Sequence, residues 1–170
     1  MIADVYPFLV EHSIEYERVD HPPVFTCEEA EQLVPALSGA DTKNLFVRDK
    51  KGRRHFLVAV GHDKSVDLKT LSSALGVTNL SFASSERLKK YLGIEPGAVS
   101  LLAIINDIEN AVEVVLDRDL WEEDALQCHP LVNTSTLAIR RGDIERILKI
   151  TGHHWTVLQV PEIARQSIGD

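Results

Sequence analysis

The sequence predicts a mixed α/β domain, a mostly antiparallel mixed sheet or open barrel surrounded by short helices. Three observations predict it. Short helix and strand signals interleave along the whole chain, with no repeat, linker or low-complexity stretch to divide it. Residues 44–48 and 55–60 are apolar strand signals separated by a polar turn containing glycine, the pattern of a hairpin and so of an antiparallel pair. No GxGxxG or Walker loop is present, so nothing points to a doubly wound parallel sheet around a nucleotide cofactor. At 170 residues the chain is expected to form one domain over residues 1–165, with 166–170 as a frayed tail.

The elements follow in order. A first helix of about ten residues surrounds Phe8, Leu9 and Val10, with Pro7 either starting or interrupting it. Residues 15–19 read as a short strand closed by His21-Pro22-Pro23. Thr26 and Glu29 form a capping box for a helix through Leu33, which Pro35 closes. In the hairpin turn Asp49-Lys50-Lys51-Gly52, the glycine stands where a positive φ is needed. Asp67 caps a helix through Leu75, ended by Gly76. Residues 79–82 read as a strand, and Ser84 or Ser85 caps a helix that stops at Gly93. Gly93 to Gly97 is a compact turn before the apolar run 99–105. Residues 112–116 read as a strand, and Asp117 opens a short helix around Leu120 and Trp121. Strands at 126–129 and 135–139 flank the segment from Pro130 to Asn133. Asp143 begins an amphipathic helix with Ile144, Ile147, Leu148 and Thr151 at helical spacing, stopped by Gly152. Residues 155–160 supply a last strand.

Composition narrows the function classes. Hydrophobic residues make up 44% and charged residues 26%, the balance of a soluble globular protein. No apolar stretch approaches the ~20 residues of a membrane span. Met1 to Val10 contains Asp4 and no basic residue, so no signal peptide is read there, and a cytoplasmic location is expected. Cys27 and Cys128 form no CxxC and read as small buried hydrophobes. Only His153 and His154 of the seven histidines are close in sequence, and adjacent residues rarely chelate one ion, so no metal is expected. The net charge of −8 argues against bulk nucleic-acid binding, and no DNA partner is expected. The basic residues cluster, however: Arg48, Lys50, Lys51, Arg53 and Arg54 surround Gly52, and Arg87, Lys89 and Lys90 form a second group. These are either solvated faces or two patches for a partner whose phosphates touch a small area.

Candidate chemistry rests on a few placements. Lys43 precedes an apolar strand and shares a face with Leu45 and Val47; it either snorkels or sets a positive charge at a pocket rim. Gly97 ends a GxxPG turn, which is ordinary in itself but lets a substrate approach bare backbone N–H groups. His129 alternates with Cys128, so the two point to opposite faces and do not act as a pair. Alone, His129 is either structural or catalytic. Asn133, Thr134, Ser135 and Thr136 supply polar groups that turns and caps also use.

Taken together, HPPVFTCEEA (21–30), DTKNLFVRDKKG (41–52), LSFASSERL (80–88), LGIEPGAVS (92–100) and HPLVNTST (129–136) resemble the YbaK/prolyl-tRNA-editing family. Their order runs through to TGHHW and covers nearly the whole chain. The alanyl-tRNA(Pro) deacylases, free-standing relatives of the editing domain in bacterial prolyl-tRNA synthetases, are the group most similar. The resemblance implies a YbaK-like fold and cofactor-free hydrolysis of the ester joining alanine to the end of proline tRNA. Cysteinyl- or seryl-type esters, or a silent tRNA- or synthetase-binding module, are the alternatives. It also implies roles. Lys43 anchors the phosphate or sugar of the terminal nucleotide, and Asn44 orients the ribose or amino acid. Gly97 offers N–H groups beside the scissile carbonyl. His129, Asn133 and Ser135 shape the facing wall, and Phe25 and Thr26 line the methyl pocket. The ribose hydroxyl or a water supplies the nucleophile. Lys50, Lys51, Arg53 and Arg87 are candidate contacts to the acceptor stem, and prolyl-tRNA synthetase is a candidate partner.

Overall fold

Strand β3 (His55–Gly61) organises the molecule because all but its last residue is buried, the signature of a strand covered on both faces. The computed structural model describes residues 1–23, 32 and 36–164. The helix expected from Thr26 to Leu33, its stop at Pro35, Cys27 and the C-terminal tail lie outside the described residues. Before β3 come α1 (Tyr6–Glu11), β1 (Glu17–Asp20) and β2 (Thr42–Arg48). After it come α2 (Leu68–Leu75), β4 (Ser81–Phe82), α3 (Ser85–Leu92) and two 3₁₀ turns, Pro96–Ala98 and Leu101–Asn106. The chain continues through β5 (Val112–Asp117), α4 (Arg118–Trp121), β6 (Ala125–Cys128), β7 (Ser135–Arg140), α5 (Arg141–Thr151) and β8 (Trp155–Leu158).

These strands form two sheets. The larger has five strands in the order β4-β2-β3-β5-β8, and the smaller has three in the order β1-β7-β6. The hairpin is as expected: β2 and β3 run antiparallel from Thr42 opposite Gly61 to Arg48 opposite His55. The β3–β5 and β5–β8 pairs are parallel, so the large sheet is mixed, while every pair in the small sheet is antiparallel. The alternation of β2 and β3 divides the core. Phe46, Leu57 and Ala59 face a large cluster with α1, α3, α5 and the small sheet. Val47, Phe56, Val58 and Val60 face a smaller cluster with Leu71 of α2.

Several boundaries differ from expectation. α1 is one short helix that Pro7 starts within the first turn rather than interrupts. β4 is only two residues long because its pairing with β2 ends at Arg48–Ser81, where Asn79 turns the chain at a φ of 47°. α5 begins at Arg141, not Asp143, because the carbonyl of Asp124 already accepts the Arg141 N–H at 2.9 Å. Asp143 sits inside the first turn and pairs with Arg146 at 2.9 Å. The apolar run after Gly97 forms the 3₁₀ turn Leu101–Asn106, started by the Ser100 hydroxyl accepting the Leu102 N–H at 3.2 Å.

A buried polar pair ties the end of that turn to the end of α5. Asp107 accepts the N–H groups of Ala111 and Val112 at 3.0 and 2.8 Å, and His153 Nε2 approaches it at 2.8 Å. Burial pushes the Asp107 carboxyl up, but the bonds from His153, Val112 and Ala111 outweigh it and hold the group below its usual range. A depressed folded value stabilises the fold above the ordinary carboxylate range and loses that contribution as pH falls through the folded value. Asp107→Ala is expected to lower the unfolding free energy by about 3 kcal/mol in urea melts at pH 7, with the gap to the parent narrowing in strong acid.

Candidate active site

The start of β2 and the end of β6 are held side by side. Ala40 forms a parallel bridge with Leu126, donating its N–H to Ala125 and accepting that of Gln127, both at 2.9 Å. The Thr42 hydroxyl then donates to the Gln127 carbonyl. Gly39 makes this approach feasible: its φ is 91°, and a Cβ there would lie 3.2 Å from the Ala125 carbonyl group. The junction thus places the β2 backbone at Thr42 beside Gln127, two residues before His129.

His129 is fixed from two directions. Its carbonyl accepts the Ser100 hydroxyl at 2.6 Å, which ties it to the GxxPG segment three residues after Gly97. Its ring Nδ1 lies 3.1 Å from the Ser135 carbonyl. Only a protonated nitrogen bonds a carbonyl, so Nδ1 carries the hydrogen and Nε2 keeps its lone pair in the neutral ring. Burial pushes the His129 pKa down, outweighing the opposing Ser135 bond, so the ring is neutral at pH 7. The loop after it is strained, because Leu131, a bulky residue, is held at a φ of 67° while packed into the core. Such a conformation costs about 1–3 kcal/mol and persists only where packing imposes it.

The other expected site residues divide into three groups. Asn44 shares the Phe46 face of β2, the side covered by β6 and β7, and its Oδ1 is buried with no hydrogen-bond partner among the described residues. Gly97 is exposed in its 3₁₀ turn, and Asn133 is half-buried in the loop after His129. Ser135 is buried; its hydroxyl donates to Asp20 at 2.7 Å, so its contribution at the ring of His129 comes from its carbonyl. Lys43 lies on the opposite face of β2, half-buried, with its ammonium on the carbonyl of Lys64. The structure does not bring that ammonium to the His129 wall. Phe25 and Thr26 lie outside the described residues.

The two basic groups meet in space. Arg87 of α3 reaches under the hairpin turn, its Nη1 2.9 Å from His55 Nε2 and 3.4 Å from the Gly52 carbonyl. Gly52, at a φ of 66°, leaves the room: a Cβ there would sit 2.7 Å from the guanidinium. Burial, and then the Arg87 charge, lower the His55 pKa, so this ring is neutral and accepts from Arg87. Lys50, Lys51 and Arg53 are exposed on the turn that Arg87 braces. Elsewhere, a cavity of about 280 Å³ is lined by Asp41, Asp63, Asp117, Asp119 and Glu123 together with Lys64, whose ammonium pairs with Asp117 at 3.0 Å.

Comparison with known proteins completes the description. Residues 21–147 match the model of the aminoacyl-tRNA editing domain. The chain belongs to the aminoacyl-tRNA editing domain family. Editing domains hydrolyse the ester between a wrong amino acid and its tRNA, so the protein is a deacylase by class. Among curated relatives, the prolyl-tRNA editing protein ProX of Acetoanaerobium sticklandii is 41% identical over 89% of this chain and 93% of its own length. Prolyl-tRNA synthetase associated domain-containing protein 1 of Danio rerio is 42% identical over 89% of this chain and 83% of its own. A solved structure described as a candidate trans-editing enzyme for prolyl-tRNA synthetase shares the fold at a TM-score of 0.62 and 20% identity, covering 86% of this chain and 87% of its own. A solved hypothetical protein aligns at a TM-score of 0.69 and 18% identity, covering 92% and 97%.

The sequence singled out neither Ser100 nor His21 as a site residue, and offered Thr136 only as one of several polar groups after His129. His21 and Ser100 stand at the ends of the strings HPPVFTCEEA and LGIEPGAVS, and Thr136 ends HPLVNTST, but nothing along the chain pairs them. Arg87→Ala is expected to cost about 1–2 kcal/mol by leaving His55 and Gly52 without a donor, and Lys51→Ala to stay within about 0.5 kcal/mol; urea unfolding of both variants checks the difference.

Proposed function

We propose that this editing domain acts in trans to remove alanine from mischarged proline tRNA. The observation that carries the reading is a buried acceptor with no hydrogen-bond partner among the described residues, Asn44 Oδ1, on the β2 face that the small sheet covers. His129 lies in the loop of that small sheet, its Nδ1–H given to the Ser135 carbonyl and its own carbonyl bonded by Ser100 of the segment after Gly97. An unpaired buried amide oxygen costs about 1–3 kcal/mol, which a donor from the substrate removes. The α-ammonium of an aminoacyl ester and the hydroxyl of the terminal ribose are such donors. The names of the similar proteins, a prolyl-tRNA editing protein and prolyl-tRNA synthetase associated domains, favour proline tRNA.

A synthetase pocket built for proline cannot strongly exclude a smaller side chain, because each missing methylene changes binding by only about 1–3 kcal/mol. A second pocket that admits alanine and rejects proline removes the error and spares the product. In this mechanism His129 Nε2 accepts a proton or hydrogen bond from the ribose hydroxyl or the attacking water. The N–H of the exposed Gly97 stabilises the developing oxyanion, that of Ala98 being given to the Glu95 carbonyl. Positioning carries the rest of the rate, which agrees with the lack of a protein nucleophile in the motifs. Lys43 is the proposed anchor for a substrate phosphate, a role that requires its ammonium to leave the Lys64 carbonyl on the other face of β2 for a stronger charge-assisted bond. Lys50, Lys51 and Arg53 receive the acceptor stem on a turn that Arg87 holds in shape. Prolyl-tRNA synthetase is the candidate partner that delivers the mischarged tRNA.

Proline tRNAs charged with alanine, cysteine, serine or proline test the sieve in a deacylation assay. Alanine is expected to leave fastest and proline to survive, with chelators without effect; equal turnover of the prolyl ester would refute it. Faster loss of cysteine or serine would move the specificity, and no turnover of any ester would make the protein a binding module. Lys43→Ala is expected to reduce turnover by roughly 100-fold or more while the melting temperature barely moves. A variant that unfolds instead makes the Lys43–Lys64 contact structural.

A further inference from the structure

We propose that His21 is a positioning residue for the editing reaction, holding the strand whose carbonyl sets the tautomer of His129. The inference rests on the role given to His129 above and adds the device that maintains it.

His21 directly follows β1 and is 7% exposed. Its backbone N–H donates to Thr134 at 3.0 Å, extending the β1–β7 ladder by one bond beyond the Asp20–Ser135 pair. Its ring makes two further contacts. Nδ1 lies 2.8 Å from the Pro22 carbonyl, so Nδ1 bears the hydrogen. Nε2 is then an acceptor, and the hydroxyl of Thr136, a buried residue, donates to it at 2.8 Å. Asp20, the residue before, accepts the Ser135 hydroxyl at 2.7 Å. Two consecutive residues thus grip three consecutive residues of the facing segment by backbone, side chain and side chain. The middle residue of the three is Ser135, whose carbonyl takes the Nδ1 hydrogen of His129 at 3.1 Å.

This arrangement excludes a direct chemical role for His21. Both of its ring nitrogens are engaged within the protein, and it meets His129 only edge to face, with ring centroids 6.4 Å apart. Its effect passes through residues 134–136. If that segment shifts, the Ser135 carbonyl no longer selects Nδ1–H in His129, the Nε2–H form becomes populated, and the lone pair is withdrawn from the substrate side. Ring orientation set by the partner of the distal nitrogen is the general way a histidine is tuned.

The test uses the full chain with ¹⁵N-labelled histidines. In the parent protein the His129 Nε2 resonance is expected at the unprotonated position and Nδ1 at the protonated one. His21→Ala is expected to mix the two tautomers and to reduce kcat on alanyl-tRNA by roughly 10-fold or more, with KM within about twofold of the parent. Thr136→Val, which removes the donor to Nε2 and leaves His21 in place, is expected to reproduce both effects. His21→Gln, whose amide can meet the Thr136 hydroxyl, is expected to restore much of each. An unchanged His129 tautomer in both His21→Ala and Thr136→Val overturns the proposal, and if His21→Ala does not fold, Thr136→Val decides alone. A fully active His129→Ala would instead overturn the catalytic reading of His129, while the tautomer spectra still decide the role of His21.

Discussion

The site depends on the contact between the beginning of β2 and the end of β6. The Ala40–Leu126 bridge and the Thr42–Gln127 bond join the start of β2 in the large sheet to β6 in the small one. Backbone groups supply most of this join, so it tolerates many side chains but demands close approach. Gly39 is the local consequence of that demand. The junction also gives β2 a divided character. It is an interior strand of the large sheet, yet its first residues border the small one, and there the Asn44 Oδ1 has no hydrogen-bond partner among the described residues.

Around that junction the protein builds rigidity from short polar contacts rather than from long elements. Ser100, Ser135, Thr136, His21 and Asp20 are small or medium polar residues, mostly buried, whose hydrogen bonds each link different segments. Each bond is worth only about 0.5–1.5 kcal/mol net. Their combined effect is to orient the segments around His129. The strained Leu131 belongs to the same design, since the loop it kinks is the one that leaves His129 and reaches β7.

The electrostatics follow the same separation of tasks. An acidic body carries a small basic face, made by bringing the hairpin turn and α3 together through Arg87. In sequence, Arg87 and Lys51 look like equivalent cations, whereas in the fold one braces and the other projects. Lys43 and Asn44 are neighbours in sequence, and the period of two already places Lys43 with Leu45 and Val47. The pleat sends the two side chains to opposite sides of the sheet, and the Lys64 carbonyl holds the lysine there.

By itself the sequence determined the elements and the family. Caps at Asp67 and Ser84, glycine stops after α2, α3 and α5, and the β2–β3 hairpin are local signals, written within a few residues by φ preferences and side-chain hydrogen bonds. The parallel pairing of β3 with β5 and of β5 with β8, the length of β4 and the true start of α5 were decided by partners far along the chain. The same holds for the grip of Asp20 and His21 on residues 134–136. A hydrogen bond between residues more than a hundred positions apart has no one-dimensional period or spacing, because it exists only once the sheets have packed.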